Sequence, residues 1–431
     1  MAAGNSKAVG GILEAARARY IARNPRSAAL LAQACSLLPG GNTRTVLFYE
    51  PFPLYMDGGE GCRLWDVDQH RYVDFLGEYT AGIYGHSHPV IRKAVRGALE
   101  RGISLSSHTT GEVRLAQLIC QRFASIELIR FANSGTEANL MAITSAIAFT
   151  QRSRVMVFAG AYHGSVLTFG AGNTPTNAPY EFILGKYNDT DSVRALIRQS
   201  AQTLAAILVE PMLGAGGCIP GDPVFLRMLA QEAHACGAML IFDEIQTSRL
   251  SVSGRQGLLG IKPDLTTLGK YFGGGLSFGA FGGRADLMSQ FDPRVAAPIG
   301  HAGTFNNNAL SMAAGAAGLA EVLTPEALDR LNRCGDELRI SLNELFVMLR
   351  ARLCATGLGS IMNLHVDAED AATRRDIQEL LFLELLERGF YIAPRGLIAL
   401  SLPVTGRETA QFLEAVRDIL ATYPQELTAD G

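Results

Sequence analysis

A chain of 431 residues, 48% hydrophobic and 18% charged, has room for one large core and a second, smaller one. Its formal charge is −3 with no run of five like charges. That excludes the basic stripe of a nucleic-acid or anionic-membrane partner, and the composition is too apolar for a disordered chain.

The N-terminus lacks the apolar stretch of a signal peptide, and no 18-residue apolar run follows, so no membrane span is expected. Residues 9–23 read as an amphipathic helix ended by Asn24-Pro25, although their arginines also fit a transit peptide. Residues 26–38 read as a second helix, stopped by Pro39-Gly40-Gly41. Residues 53–75 read as short strands with a turn at Asp57-Gly58-Gly59. From about 86 to 320, short apolar runs (155–158, 204–209, 239–242, 265–268) alternate with helical stretches. That alternation predicts βα units and a mostly parallel sheet. Beyond 325 the pattern predicts a helix (325–350), a strand near 361–366, a helix (375–388) closed by Gly389, strands at 390–393 and 398–402, and a last helix. Thr405-Gly406-Arg407-Glu408 fits a capping box for it. The expected class is α/β: a large domain over 86–324 with a central sheet flanked by helices, and a smaller α+β domain from segments 1–85 and 325–431. The seven cysteines are scattered without a C-x-x-C pair, so they form neither a disulfide framework nor a zinc site, and a reducing cytoplasm is the expected location.

Several residues stand where open α/β sheets bind ligands, at the carboxyl ends of strands. Ser134-Gly135-Thr136 lies between an apolar run and a helical stretch, a ready anion site of backbone N–H groups and hydroxyls, or simply a helix cap. Tyr162 follows the run 155–158 and reads as a ring-stacking aromatic or a core residue. Glu210 ends the run 204–209, to bond a ligand or to fix a loop. Asp243 ends the run 238–242; a carboxylate there needs a cation or donor, such as a protonated pyridine nitrogen, or else caps the next helix. Glu244 is expected to point to the opposite side. Lys270 follows the run 265–269 and precedes Gly273-Gly274-Gly275, read as flexible backbone. Burial there makes a nucleophilic lysine; the alternative is a lysine reaching out from a strand end.

Taken together, Leu38-Pro39-Gly40-Gly41-Asn42, Gly85-His86-Ser87-His88-Pro89, Asn133-Ser134-Gly135-Thr136-Glu137-Ala138, Ala161-Tyr162-His163-Gly164, Val209-Glu210-Pro211, Phe242-Asp243-Glu244-Ile245-Gln246-Thr247, Leu268-Gly269-Lys270 and Gly303-Thr304-Phe305 resemble the class III (subgroup II) pyridoxal-phosphate (PLP) aminotransferases of fold type I. More narrowly they resemble the glutamate-1-semialdehyde aminomutases and the β-amino-acid aminotransferases. The resemblance implies that Lys270 holds PLP and later moves the proton, and that Asp243 pairs with the ring nitrogen. Ser134, Gly135 and Thr136 would hold the phosphate, Tyr162 would cover the ring and Gln246 would reach the ring hydroxyl. Thr304 would bind the phosphate of the neighbouring subunit's cofactor, which implies a homodimer with shared sites.

The aminomutase pattern is broken in two places. Segment 39–48 lacks one residue and moves the arginine, and Ala393-Pro394 is followed by Arg395 where the aminomutases carry an acid. Segments 42–49, 78–82, 273–283 and 394–396 instead resemble the aromatic β-amino-acid (β-phenylalanine) aminotransferases. That implies a ping-pong transfer from an aromatic β-amino acid to a keto acid such as 2-oxoglutarate or pyruvate. Arg44 would take the donor's carboxylate, Arg395 the acceptor's, and Tyr79 and Tyr84 would wall the pocket, since guanidinium matches a carboxylate bidentately. The alternatives are the aminomutase, an ω-transaminase acting on other amines, and a non-catalytic PLP-fold binding protein. No metal site is expected.

Overall fold

The apolar runs in the middle of the chain become a seven-stranded sheet in the computed structural model, which describes residues 2–170, 172–368 and 370–428. In chain order the strands are β1 (Leu128–Ala132), β2 (Arg154–Phe158), β3 (Glu181–Gly185), β4 (Leu204–Val209), β5 (Met239–Asp243), β6 (Leu265–Gly269) and β7 (Gly279–Gly283). Their spatial order is β1-β7-β6-β5-β4-β2-β3. Strands β3, β2, β4, β5 and β6 pair in parallel, and β7 runs antiparallel between β6 and β1. Every residue of β4, β5 and β6 is buried. Continuous apolar strands of this kind need helices on both faces. The helix Gly135–Thr150 packs on β4 to β7, and Pro223–Cys236 packs on β4 and β5.

After Lys270 the chain makes a short 3-10 helix that ends at Gly273; Gly274 and Gly275 take left-handed φ values of 69° and 93°, and Gly279–Gly283 is a fully buried strand. Glycine is required there by close backbone approach: a Cβ on Gly279 would lie 2.1 Å from the Ser134 carbonyl oxygen, and one on Gly283 2.1 Å from that of Asp264.

The chain divides into two compact units, one of Thr80–Tyr84 with Pro89–Arg330, the other of Met1–Tyr79, Gly85–His88 and Leu331–Gly431. The first holds the seven-stranded sheet. The second has a four-stranded sheet of Met56–Glu60, Arg63–Asp66, Arg71–Asp74 and Phe390–Tyr391, and a three-stranded antiparallel sheet of Leu353–Leu358, Ile361–Val366 and Leu397–Ala399. Its first helix, Ala2–Arg23, starts earlier than the sequence reading, which began it at residue 9. Val9, Leu13, Ala16 and Tyr20 recur at helical spacing and are buried, and the helix packs on Ala371–Glu387. Its arginines are engaged: Arg17 pairs with Glu379 at 2.6 Å and Arg19 with Glu384 at 2.5 Å. The second helix ends at Cys35, and the capping box at Thr405 and Glu408 is formed. Strand Leu353–Leu358 has no counterpart in the sequence reading, because Cys354, Thr356 and Gly357 dilute its apolar alternation.

Candidate active site

The carboxyl ends of β1, β2, β4, β5 and β6 open onto one cavity of about 290 Å³. Asn133, Gly135 and Thr136 line it from the end of β1, Tyr162, His163 and Gly164 from β2, and Glu210 from β4. Asp243, Ile245 and Gln246 line it from β5, Lys270 from β6, and Leu276, Ser277 and Phe278 from the segment entering β7.

Ser134 is the cap of the helix Gly135–Thr150: its extended backbone turns the chain, and its hydroxyl accepts from Glu137 N at 3.2 Å. It does not itself line the cavity, whereas Gly135 and Thr136 do. Amides at the start of a helix lack intrahelical acceptors, so they are available to an anion. Gly135 leaves room for Ile245, whose Cδ1 would lie 2.5 Å from a Cβ at that position. The Thr136 hydroxyl accepts from Ser165 N at 3.3 Å and keeps its own proton to donate.

Asp243 is buried at the floor and fully engaged. Its Oδ2 accepts from Asn139 Nδ2 at 2.8 Å and His163 Nδ1 at 2.7 Å, and its Oδ1 from Ile245 N at 3.1 Å. Asn139 is fixed in turn by the Thr267 hydroxyl, 2.7 Å from its Oδ1. Sequence reasoning missed Asn139 and assigned His163 no chemistry. The available signals were an asparagine one helical turn past Gly135, on a face that proves buried, and a histidine next to Tyr162.

Glu210 is buried beside this group and accepts from Tyr162 N and Gly214 N, both at 2.9 Å. Burial pushes its carboxyl up to about 7; His163 opposes the rise and the charge of Asp243 adds to it. Tyr162, 45% exposed, lines the cavity. The Gln246 amide packs over Gly214, where a Cβ would lie 2.4 Å away. Lys270 adopts a left-handed backbone, φ 55°, immediately after β6, a conformation rare for a non-glycine residue. Glu244 turns away from the cavity; it is buried and accepts from Gln256 N at 2.7 Å and Arg255 N at 3.2 Å.

The remaining sequence candidates lie elsewhere. Tyr84 is buried, and its hydroxyl donates to the Tyr271 carbonyl at 3.1 Å; it does not line the cavity. Thr304 lines a separate cavity of about 510 Å³ with Phe305, Asn307, Asn308 and residues 103–109. Arg44, Tyr79 and Arg395 belong to the other compact unit. There the two guanidiniums lie 5.7 Å and 5.4 Å from the Tyr79 ring centre, and Arg44 pairs with Glu78.

The residues around the 290 Å³ cavity fit pyridoxal phosphate. The site joins a helix N-terminus and hydroxyl for a phosphate, a carboxylate for a ring cation, an aromatic for a ring face and an amine for a carbonyl. Gln246 Oε1 and His163 Nε2 are buried with no hydrogen-bond partner among the described residues. Orphaned polar atoms at the rim of a cavity are what a missing polar ligand leaves behind. Among the described residues, no group of three or more His, Cys, Asp or Glu is placed to hold a metal ion.

Known proteins match this chain over most of its length. The family model for class-III aminotransferases matches residues 48–420. A β-phenylalanine transaminase of Variovorax paradoxus is 50% identical over 412 residues, covering 94% of this chain and 95% of the relative. The crystal structure of the Variovorax paradoxus β-phenylalanine aminotransferase superposes with a TM-score of 0.95, over 97% of this chain and 99% of that one. A transaminase structure with PLP bound is 33% identical, with a TM-score of 0.87 over 93% and 98% of the two chains. A glutamate-1-semialdehyde aminomutase of Pseudomonas aeruginosa PAO1 shares the fold, at a TM-score of 0.86 over 96% and 98% of the chains, but only 24% identity.

Proposed function

The chain belongs to the class III aminotransferases, and from that premise we propose that it moves the amino group of an aromatic β-amino acid to a keto acid such as 2-oxoglutarate or pyruvate. Its fold is the fold type I architecture and its cofactor is pyridoxal 5′-phosphate. The observation that carries the substrate is the 50% identity to the Variovorax paradoxus β-phenylalanine transaminase over nearly the whole of both chains.

When bound, the cofactor supplies an electron sink for the charge left on the amine-bearing carbon as its proton departs. Lys270 would hold the cofactor, and its amine would take that proton and later return it. Asp243 would keep the ring nitrogen protonated, while Asn139 and His163 hold the carboxylate in place. Gly135 and Thr136, with the cap Ser134, would hold the phosphate, Tyr162 would cover the ring, and Gln246 would meet the ring hydroxyl. Arg44 takes the donor's carboxylate and Arg395 the acceptor's, with Tyr79 between them. The working assembly is a homodimer in which Thr304 serves the partner subunit's phosphate; the cavity around Thr304, with exposed Ile103, Leu105 and Phe305, supports a covering partner there. Cytoplasmic location fits the cysteines, none of which is in a disulfide. No helix among the described residues is long and apolar enough to cross a membrane.

The test is a half-reaction. Holoenzyme mixed with β-phenylalanine and no keto acid should lose the visible absorbance of its bound cofactor, and adding 2-oxoglutarate should restore it. Lys270→Ala should end turnover while leaving the fold intact. If an amine without a carboxylate works as well and Arg44→Ala changes nothing, the enzyme is an ω-transaminase. Isomerisation of glutamate semialdehyde without any keto acid would make it an aminomutase.

A further inference from the structure

The segment between Asp74 and Thr80 is built against the usual backbone preference. Gly77, Glu78, Tyr79 and Thr80 all take left-handed φ values, 52°, 48°, 52° and 78°. Each such non-glycine residue costs on the order of 1 kcal/mol, so a run of three persists only where its surroundings impose it. Several contacts here do so. Asp74 Oδ1 accepts from Leu76 N and Gly77 N, both at 2.9 Å, and its Oδ2 is 3.0 Å from His86 Nε2. Gly77 lies so close to Ala399 that a Cβ would sit 2.6 Å from the Ala399 carbonyl oxygen. The Tyr79 hydroxyl donates to the Val46 carbonyl at 2.9 Å, which ties the turn to the segment that carries Arg44.

The outcome of this strained turn is an asymmetry between two arginines. Both guanidiniums contact the ring of Tyr79. Arg44 is neutralised by Glu78, the residue just before that ring. Arg395 has no carboxylate partner among the described residues, and its Nε is buried with no hydrogen-bond partner. One cation of the pair is therefore occupied from within the chain, and the other is open.

We propose that Glu78 is a specificity-determining residue: an internal stand-in for the substrate carboxylate that occupies Arg44 in the free protein and must leave it when an amino acid binds. The proposal rests on the reading of Arg44 as the donor's carboxylate site. A fork-shaped pair made by the two terminal nitrogens of Arg44 includes Nη1, the group that Glu78 holds, and a retained Glu78 would place two negative groups side by side. A donor without a carboxylate does not meet this competition. Both side chains are about half exposed, so the competition is modest and screened by salt.

The experiment titrates holoenzyme with β-phenylalanine and, separately, with 1-phenylethylamine, the same amine without the carboxylate. The cofactor's absorbance change is read at low ionic strength for the parent, Glu78→Gln and Arg44→Ala. In Glu78→Gln the ratio of dissociation constants, β-phenylalanine over 1-phenylethylamine, should fall about two- to fivefold, and added salt should erase the difference. A ratio that rises, or stays put while Arg44→Ala raises it, overturns the proposal and makes Glu78 a support for Arg44 or a bystander. A ratio that Arg44→Ala leaves unchanged defeats the Arg44 reading itself, and the proposal falls with it.

Discussion

At the scale of single residues, the floor of the cavity concentrates acidic charge that the fold must manage. Asp243 is met by three donors, whereas Glu210 is met by two backbone amides and stands next to a second carboxylate. Burial raises the Glu210 carboxyl from 4.5 to about 7. A carboxyl raised on folding contributes stability that is full below pH 4.5 and is lost as pH climbs through about 7. Glu210→Gln removes that titration. The unfolding free energy of the variant minus that of the parent should therefore increase between pH 5 and pH 8, by on the order of 1–3 kcal/mol, in urea denaturation of cofactor-free protein. Any fixed penalty from the Gln amide facing a backbone donor shifts the whole curve and leaves the slope untouched. A difference that is flat with pH would mean that the amides and His163 keep Glu210 ionised throughout. Asp243, Glu210 and Lys270 were legible in the sequence because an ionisable residue closing an apolar run is conspicuous. Asn139 and His163 were not, since their role depends on which helix face and which loop end meet Asp243, and that is decided by tertiary packing. Tyr84 is buried against Tyr271 and does not line the cavity; an aromatic beside a family segment carries no mark of whether its ring faces a ligand or the core.

At the scale of elements, strands β2, β4, β5 and β6 were readable as apolar runs, which did not include the parallel strand β3, and the last helix as a capping box. The strand Gly279–Gly283 was not, because glycine carries no strand propensity and its value here is the absence of a Cβ. This predicts opposite outcomes for two glycines. Gly279→Ala would push a methyl into the Ser134 carbonyl, whose backbone is held by the start of the helix Gly135–Thr150. It should cost about 1–3 kcal/mol or more in thermal unfolding and also weaken cofactor retention, because the displaced residues open the anion-binding helix end. Gly406→Ala, in the first turn of the helix Gly406–Thr422, meets nothing within 4 Å and should stabilise by about 0.5–1 kcal/mol. Equal losses from both would show that chain flexibility, not close approach, is what glycine supplies in β7.

At the scale of the whole molecule, the remaining question is where Thr304 acts. It lines its own cavity with Phe305 and residues 103–109, apart from the residues around Lys270, and the proposal is that its hydroxyl serves the phosphate of a second copy. Mixed dimers separate the two possibilities. Thr304→Val deletes the hydroxyl with little change of shape and should weaken retention of cofactor phosphate about tenfold or more, as loss of a hydrogen bond to a charged group does. Lys270→Ala should be inactive by itself. In a heterodimer of one Lys270→Ala chain and one Thr304→Val chain, shared sites put both defects into one site and leave the other with an intact Lys270 and the partner's intact Thr304. That heterodimer should turn over with parental cofactor affinity at about half the activity per dimer, since one of its two sites is whole. If each chain used its own Thr304, the only active site would carry the valine, and cofactor affinity would match the Thr304→Val homodimer. The family's sequence segments pointed to this sharing, but a single chain's composition and periodicity cannot encode it, because the contact proposed for Thr304 would be made by another copy.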